Sequence, residues 1–275
     1  MQYIGNNQIT AKYVGNTEVQ KQYLGDTLVW EKESQHDYSQ DYLTFKITAS
    51  GNIRWMNINT SYPDPVKTIY YSKDNGANWF TITSSVGAEQ APFTGGTLLP
   101  VSIGDVVLFK GYFGNYGGSS YYAAFEGSDA GFEVCGNIMS MLHGDNFTTA
   151  TTISGATHIF RNFLSKCSGL TSAENLILPT NVYQECYAWM FQDCISLTKA
   201  PVLPATNGVN RCYHAMFQRS SSLNYVKCML TSGMSNIGTS WLKEVSPTGT
   251  FVKATGASWG TGDNGIPSGW TVLEE

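Results

Sequence analysis

The chain has few charged side chains, and charge of neither sign accumulates in any stretch. Asp, Glu, Lys and Arg make up 13% of the 275 residues, and 16 basic against 21 acidic residues leave a formal net charge of −5. This is about half the charged share of an ordinary soluble protein. Without a basic cluster the chain has nothing to replace the counterions of nucleic acid, so we expect no nucleic-acid partner.

Long apolar runs are also missing. No segment approaches the ~20 apolar residues that span a bilayer, so we expect no membrane insertion. The start, Met1-Gln2-Tyr3-Ile4, lacks the basic and apolar segments of a cleaved export signal. We therefore expect a chain that stays in the cytoplasm where it is made, or leaves by a route that needs no cleaved signal.

Motifs for metal or nucleotide chemistry are scarce. The sequence has no C-x-x-C, no paired histidines at metal spacing and no P-loop. Glu126, Asp129 and Glu133 cluster in sequence and either hold Ca²⁺ or are simply solvated. Cys186 and His214 would form a nucleophile pair only if folding joined them. We expect no enzyme, no catalytic residue, no cofactor and no metal.

A tandem repeat of period ten occupies residues 2–31, reading QYIGNNQITA, KYVGNTEVQK and QYLGDTLVWE. Each Gly-Asn or Gly-Asp favours a tight reversal between β-forming residues, which predicts a small β-meander. Three such copies bury little surface alone. Residues 1–31 are therefore either a sheet packed on the next domain or an anchor and oligomerisation module. The anchor candidates are Tyr3, Ile4, Tyr13, Val14, Tyr23 and Leu24.

Residues 40–145 show alternating apolar positions and frequent turn signals, which favour an all-β sandwich. Within this segment, Ser72-Lys73-Asp74-Asn75-Gly76-Ala77-Asn78-Trp79 resembles the Asp-box hairpin of sialidase-like propellers. In those proteins the box is a folding element away from the active site. A structural turn with Trp79 folded back over it is the interpretation that we adopt.

Residues 111–125, GYFGNYGGSSYYAAF, combine flexible Gly and Ser with aromatic side chains. Tyrosine offers a large contact area with a polar tip, so such loops make good recognition surfaces. The alternative is a loop whose aromatic rings plug the end of the sandwich. The candidate glycan or partner contacts are Tyr112, Phe113, Tyr116, Tyr121 and Tyr122.

The strongest signal lies in residues 146–275. Leu170, Leu197 and Leu223 are 27 and 26 residues apart, and Leu164, Phe191 and Phe217 recur with a similar spacing. A fixed period of this length is typical of a solenoid whose units must stack to bury their faces. Each unit is expected to hold a short helix, such as Tyr187 to Phe191, followed by a strand around Pro201 to Pro204. Residues from about 240 onwards, with Trp259 and Trp270, are interpreted as a terminal cap.

The repeat also explains the cysteines. Cys167 and Cys194 align with Ser220, and Cys186 aligns with Cys212. A disulfide ladder would not tolerate the serine, so free, buried thiols are favoured. Disulfides joining Cys167 to Cys194 or Cys186 to Cys212 are the alternative.

These repeats resemble the BspA-type leucine-rich repeats of surface and phage-encoded proteins from gut bacteria. The match rests on the segment that begins Cys186-Tyr187-x-x-Met190-Phe191-x-x-Cys194 and ends x-Leu203-Pro204-Ala205-Thr206. The next copy keeps Cys212-Tyr213, Met216-Phe217 and Leu223 but loses the second cysteine and the prolines. The resemblance implies a mainly β protein with short helices, and a repeat array that presents a surface for adhesion or host recognition.

The decapeptide repeat looks like the front end of tail- or fibre-associated proteins in phages of gut bacteria. This resemblance implies a virion structural protein attached to other virion proteins through residues 1–31, as a homo-oligomer in which a trimer is favoured by analogy. A host surface glycan or protein is the expected external partner. A bacterial cell-surface adhesin is the alternative, and a polysaccharide-degrading enzyme is the third and least favoured hypothesis.

Overall fold

The structure is a computed structural model, and it describes residues 36–59, 66–86, 95–114, 116–118, 121–150, 152–153 and 157–275. Between residues 3 and 31 it describes the backbone of six short strands. The chain is mainly β, with several sheets and a single short α-helix among the described residues. It divides into two compact units, Met1–Asp37 and Tyr38–Glu275.

In the first unit, each decapeptide forms one antiparallel hairpin. Two residues separate the paired strands in every copy, which is the length of the favoured hairpin turns. The predicted Gly-Asn and Gly-Asp turns lie outside the described residues. Among the described residues the three hairpins are separate two-stranded sheets rather than the continuous sheet of the predicted meander, and Lys21, the last residue of the second copy, extends the third hairpin. The strands are β1 (Tyr3–Ile4), β2 (Asn7–Gln8), β3 (Lys12–Val14), β4 (Thr17–Val19), β5 (Lys21–Leu24) and β6 (Thr27–Glu31).

The second unit begins with a part that we call the two-sheet region, residues 43–137. In the first sheet the strand order is β10-β9-β13-β7-β15, and in the second β8 pairs with β11, β12 and β14. The strands are β7 (Leu43–Ala49), β8 (Gly51–Asn59), β9 (Thr68–Ser72), β10 (Phe80–Thr83), β11 (Ser85–Val86), β12 (Thr97–Val101), β13 (Val106–Lys110), β14 (Tyr121–Ala124) and β15 (Gly131–Asn137).

Alternating side chains of these strands meet in a common core. In β7, Leu43, Phe45 and Ile47 are buried and recur with the period of two that sends side chains to one face. Phe125 joins the two sheets, because its ring centroid lies 5.0 Å from that of Phe45 in β7 and 4.8 Å from that of Trp55 in β8. The two sheets therefore bury their apolar faces against each other.

The C-terminal part of the second unit, residues 157–275, is called here the stacked-turn region. A ladder of parallel pairing runs from β15 to β16, through isolated bridges at Lys199 to β17, and on to β18 and β19. The first sheet thus continues into the repeats, and residues 40–145 and 146–275 lie in one compact unit. A short helix, α1 (Ser140–His143), precedes this region, whose strands are β16 (Leu170–Ile177), β17 (Tyr225–Cys228), β18 (Gly249–Lys253) and β19 (Trp270–Glu274).

The predicted helix from Tyr187 to Phe191 is wrong, because this segment is a succession of turns. Every second N–H donates to the next repeat, as from Trp189 to the carbonyl of His214 at 2.9 Å, and the N–H groups between them donate within the segment. A left-handed residue recurs every fourth position, at Glu185, Trp189 and Asp193. Each such non-glycine residue costs ~1–2 kcal/mol. The bonds between repeats offset this cost, and a helix could not form them.

Six aromatic rings stack along the repeats in what we call the aromatic column. Neighbouring centroids lie 5.2–6.4 Å apart, and the angles between neighbouring ring planes run from 2° to 25°. The column ends on Trp259, whose ring centroid lies 5.2 Å from that of the fully buried Trp241. Its members are Tyr116, Phe160, Tyr187, Tyr213, Trp241 and Trp259.

All six cysteines are free and buried, as the repeat spacing predicts. The thiols of Cys167 and Cys194 donate to the carbonyls of Phe125 and Leu164, at 3.2 and 3.1 Å. At the aligned position, the hydroxyl of Ser220 donates to the Phe191 carbonyl at 2.7 Å. The serine thus keeps the hydrogen bond of the cysteines that it replaces.

Candidate ligand-binding surfaces

The aromatic loop lies mostly inside the protein. Tyr116 has no exposed surface and donates its hydroxyl to the Met141 carbonyl at 2.5 Å, and Tyr122 is 4% exposed. These two residues correct the predicted contact surface, because rings in the core cannot stack on a ligand. Phe113 and Tyr121 are half-buried, with Phe113 packed on Tyr116. Four of the five predicted contacts are therefore buried or half-buried.

Tyr112 is the exception, since 54% of its surface is exposed. Its hydroxyl lies 3.2 Å from the carboxylate of Asp145, which also accepts hydrogen bonds from Tyr42 and Lys110 at 2.7 Å each. Trp79 completes the group, because the Lys110 ammonium lies 4.0 Å from its ring centroid. We call Tyr42, Trp79, Lys110, Tyr112 and Asp145 the Asp145 cluster.

The fold positions this cluster on the outer face of the first sheet. Lys110 ends β13 opposite Tyr70 of β9, and the Tyr70 ring packs edge-on against Tyr112. Asp145 follows α1 in a 3-10 turn that begins at Gly144. A Cβ on Gly144 would lie 1.9 Å from the Tyr112 ring, so this position requires glycine for the ring to lie flat against the turn.

The contacts of the Asp145 cluster shift the pKa values of Asp145 and Tyr42 in opposite directions. Hydrogen bonds from Lys110 and then Tyr42 lower the pKa of Asp145. Burial, followed by the hydrogen bond to Asp145, raises the pKa of Tyr42 to about 12. Both groups are thus far from titrating near neutral pH, where a general acid or base works best. What remains is a fixed charge pair beneath an exposed aromatic ring.

The Asp-box-like hairpin supports the cluster but forms no site of its own. Asp74 accepts hydrogen bonds from the Ser72 hydroxyl and the Asn78 backbone, at 2.7 and 2.9 Å, and these lower its pKa to about 2. Asn75 and Gly76 adopt positive φ at the turn. The hairpin is the structural turn that the sequence predicts, and it places Trp79 against Lys110.

The stacked-turn region carries a second mixed surface, which sequence reasoning missed. The Arg161 and Arg211 guanidinium carbons lie 4.6 and 5.9 Å from the ring centroid of Trp189, and the ring of His214 packs edge-on against the same indole at 4.7 Å. Glu185 pairs with Arg211 at 3.3 Å. We call these five residues the Trp189 cluster. Its members come from three successive repeats, so alignment of the repeats could have revealed it.

Among the described residues singled out for metal or nucleophile chemistry, Glu126 and Cys186 are buried and Asp129 accepts a hydrogen bond. Glu126 is fully buried and pairs with Lys166 at 2.6 Å, whereas Asp129 accepts the Asn52 backbone N–H. In the described part of the chain no group of three or more His, Cys, Asp or Glu is placed to hold a metal. Burial raises the pKa of Cys186 well above its usual value, which keeps it a thiol rather than a nucleophilic thiolate.

Two glycine patterns in the loop between β18 and β19 escaped the sequence analysis. Residues 256–260 read GASWG, with the spacing of a nucleophile elbow, and residues 260–265 read GTGDNG, with that of a dinucleotide fingerprint. Both patterns need a strand that leads directly into a helix. Here the loop leads into strand β19, so neither pattern has the context that its chemistry requires.

Comparison with known proteins returns no relative: no family model, curated protein or solved structure matches the chain. Among the described residues, no helix has both the length and the apolar character that crossing a membrane requires.

Proposed function

We propose that this protein is a non-enzymatic component of a phage virion, attached as a fibre, tail or capsid protein, which contacts the host surface. The observation that carries the attachment role is the exposed ring of Tyr112 above the charge pair of Asp145 and Lys110. An aromatic face beside fixed polar groups is suited to stacking on a sugar or a protein side chain. The proposed host ligand is therefore a surface glycan or protein.

The proposed architecture has three parts. We infer that the two-sheet region is a β-sandwich and that the stacked-turn region is a short leucine-rich-type solenoid with a C-terminal cap. Support comes from the core shared by two sheets, from the parallel ladder between repeats and from the recurring turns. The resemblance to BspA-type repeats points the same way. A homo-oligomer, with a trimer favoured by analogy, is part of this proposal.

The N-terminal hairpins are the proposed anchor to other virion proteins. Deleting residues 1–31 should leave a soluble protein that still binds host cells but does not join the particle, because Tyr38–Glu275 is a compact unit of its own. The measurement is the amount of the chain in purified particles. Incorporation at the wild-type level would show that the anchor lies elsewhere.

The attachment role is tested by Tyr112→Ala in the full-length chain. Binding of the labelled protein to host cells should fall about tenfold, the effect of losing one contact of ~1–1.5 kcal/mol. Phe80→Ala is the matched control, because Phe80 is also about half exposed, at 55%, but faces the opposite side of the first sheet. Equal binding by the wild type and Tyr112→Ala would remove the main support for this function.

A further inference from the structure

The Trp189 cluster carries more positive than negative charge. Its five residues hold two guanidinium groups and one carboxylate, so with a neutral histidine their formal charge is positive, whereas the whole chain has a net charge of −5. Other exposed ion pairs of the stacked-turn region join one cation to one carboxylate, as Arg219 to Asp193 and Lys199 to Glu174. The cluster is therefore a positive patch on an acidic protein.

Arg211 is the accessible charge of this patch. Its side chain is 44% exposed, whereas that of Glu185, which lies 3.3 Å from its Nε atom, is 12% exposed. A guanidinium carries five N–H donors in a fork that matches a carboxylate, and an ion pair with one carboxylate uses at most two of them. Donors therefore remain for a second carboxylate that approaches from solvent.

The backbone holds the side chains of the cluster in place. Glu185, Trp189 and Arg211 all have positive φ, and the backbone N–H of each donates to a carbonyl of the next repeat at 2.7–3.1 Å. The guanidinium of Arg161 donates to the Gly118 carbonyl at 3.0 Å. Because these groups are ordered before a ligand arrives, binding costs less conformational entropy.

Two histidines report the positive potential at this surface. Burial and then the charge of Arg211 lower the pKa of His214, and Arg161 acts in the same direction while Glu185 opposes both. Burial also lowers the pKa of His158, and the same two arginines add to that effect. A bound carboxylate would offset the arginines, so it would raise the pKa of His214.

The composition of the cluster favours a polypeptide ligand. Trp and Arg are the residues that most often dominate binding energy at protein interfaces, and here they come from three successive repeats. Small ligands bind in clefts, and the clefts lined by Trp270 and by Ile177 contain no residue of the cluster. A small excess of positive charge fits a singly charged carboxylate better than a phosphate group.

We propose that the Trp189 cluster binds a carboxylate side chain of an acidic polypeptide, with the guanidinium of Arg211 donating to that carboxylate and Arg161 adding to its attraction. This surface uses no residue of the Asp145 cluster. It goes beyond the proposed attachment function, and rests on that function only for whether the polypeptide belongs to the host or to the virion.

The test is a titration of the full-length chain with the peptide acetyl-Gly-Glu-Glu-Gly-amide at constant ionic strength, followed by NMR of the four histidines. The signals that are lost in His214→Asn identify His214. Between about pH 5.5 and pH 8 the glutamates are ionised. The peptide should bind with a Kd on the order of 1 mM and raise the pKa of His214. The neutral control, acetyl-Gly-Gln-Gln-Gly-amide, should do neither.

Three variants assign the binding to the cluster. Arg211→Gln should weaken binding of the glutamate peptide about fivefold, as expected for one exposed ion pair. Arg219→Gln is the matched control, because Arg219 is also 44% exposed but donates from two nitrogens to Asp193 at 2.6 Å, so binding should change less than about twofold. Glu185→Gln removes the carboxylate that competes for Arg211 and should tighten binding about two- to threefold, a gain that a misfolded variant could not produce.

Three results overturn the proposal. They are equal effects of the glutamate and glutamine peptides up to ~20 mM, well above a millimolar Kd; equal losses of binding in Arg211→Gln and Arg219→Gln; or tighter binding of methyl glucuronide, which would assign the surface to an acidic sugar. Tyr112→Ala should bind the glutamate peptide as the wild type does. Its defect on host cells would therefore leave the attachment function standing even where the peptide proposal fails.

Discussion

The two-sheet region and the stacked-turn region both fill their interiors with aromatic side chains, but only along the repeats does a stack extend from ring to ring. In the two-sheet region Phe45 and Phe132 form a single stacked pair, at 14°. Around Phe125, the rings of Phe45, Trp55 and Phe109 are inclined by 49–63°. Along the aromatic column, neighbouring planes differ by at most 25°. Strand pairing in the two-sheet region brings unrelated positions together, whereas the stacked-turn region places one position of the repeat above the next. The period of the sequence therefore explains the aromatic column, whereas other ring pairs of the stacked-turn region, such as Trp241 and Phe251 at 87°, are edge-on.

The two regions also differ in how they satisfy their backbone. The two-sheet region uses antiparallel ladders, apart from the short parallel pair of β11 with β8. The stacked-turn region sends every second N–H of its turns to the next repeat. A repeat in such an array depends on its neighbours for hydrogen bonds as well as for burial. A mutation that destabilises one repeat should therefore destabilise its neighbours. Through the shared sheet it should also destabilise the two-sheet region.

The largest expected effect is the loss of stability when a core aromatic ring of either region is removed. Phe125→Ala and Phe217→Ala should each lower the free energy of unfolding by ~3–5 kcal/mol, because both rings are fully buried. Each should speed hydrogen exchange in both regions, since they form one compact unit. Urea denaturation with peptide-resolved hydrogen exchange measures this.

The control for this pair is Ile103→Ala, at a side chain that is 69% exposed, where the change should stay within ~0.5 kcal/mol. Faster exchange confined to residues 157–275 in Phe217→Ala would mean that the repeats unfold on their own. The comparison would then be between two domains, as the boundary at residues 145 and 146 predicts.

The repeat spacing predicts which positions of the stacked-turn region are buried, but not the conformation of its turns. The recurrence of Leu164, Phe191 and Phe217 marks core positions, and all three are fully buried. The turn conformation was missed, since Trp189 has positive φ although it is neither Gly nor Asn. Only the hydrogen bonds from the next repeat stabilise that conformation, and a local pattern does not contain them.

The candidate sites show the same limit. Tyr42 and Asp145 are 103 positions apart in sequence, and the fold brings their side chains to 2.7 Å. Tyr112 was identified because its loop is unusual in composition, but composition does not separate it from the buried Tyr116. Trp189 and Arg211 lie in successive repeats. Alignment of the repeats could have revealed this pair if the outward-facing side chains had been compared.

Ser220 tests whether aligned positions of the repeats make the same hydrogen bond. Ser220→Ala removes the hydrogen bond to the Phe191 carbonyl and should lower the free energy of unfolding by ~1–2 kcal/mol. Ser220→Cys should stay within ~0.5 kcal/mol of the wild type, because Cys167 and Cys194 make the same bond at their own positions. Thermal and urea unfolding of the two variants decide the matter. A cysteine variant as unstable as the alanine one would contradict the equivalence.

Buried hydroxyls distinguish the middle of the aromatic column from its end in the two-sheet region. The Tyr213 hydroxyl is buried and has no hydrogen-bond partner among the described residues, so Tyr213→Phe should raise the free energy of unfolding by ~1 kcal/mol. The Tyr116 hydroxyl donates to the Met141 carbonyl, so Tyr116→Phe should lower it by ~1 kcal/mol. Opposite signs in urea denaturation are the expected result. A loss of stability in both variants would mean that Tyr213 does have a partner.

The smallest expected effect is a difference in how the outer surfaces of the two regions make stability depend on pH. Burial, and then Arg211, lowers the pKa of His214 in the Trp189 cluster. The folded state thus favours neutral His214, and its contribution to stability is present above ~6.5 and lost as pH falls through the lowered pKa. Tyr42 in the Asp145 cluster behaves in the opposite direction, because its pKa is raised to about 12. Its contribution is present below ~10 and lost as pH rises to about 12.

Melting temperatures measured across pH for the wild type, His214→Asn and Tyr42→Phe test this contrast. Relative to the wild type, His214→Asn should lose part of the decline below pH ~6.5, and Tyr42→Phe part of the decline above pH ~10. Each difference should be about 1–2 °C. His158, whose pKa is lowered mainly by burial, titrates on the same side as His214, so some acid sensitivity should persist in His214→Asn. If the histidine variant changes the alkaline limb instead, the two clusters are coupled through the sheet that the regions share, and their surfaces cannot be treated as separate.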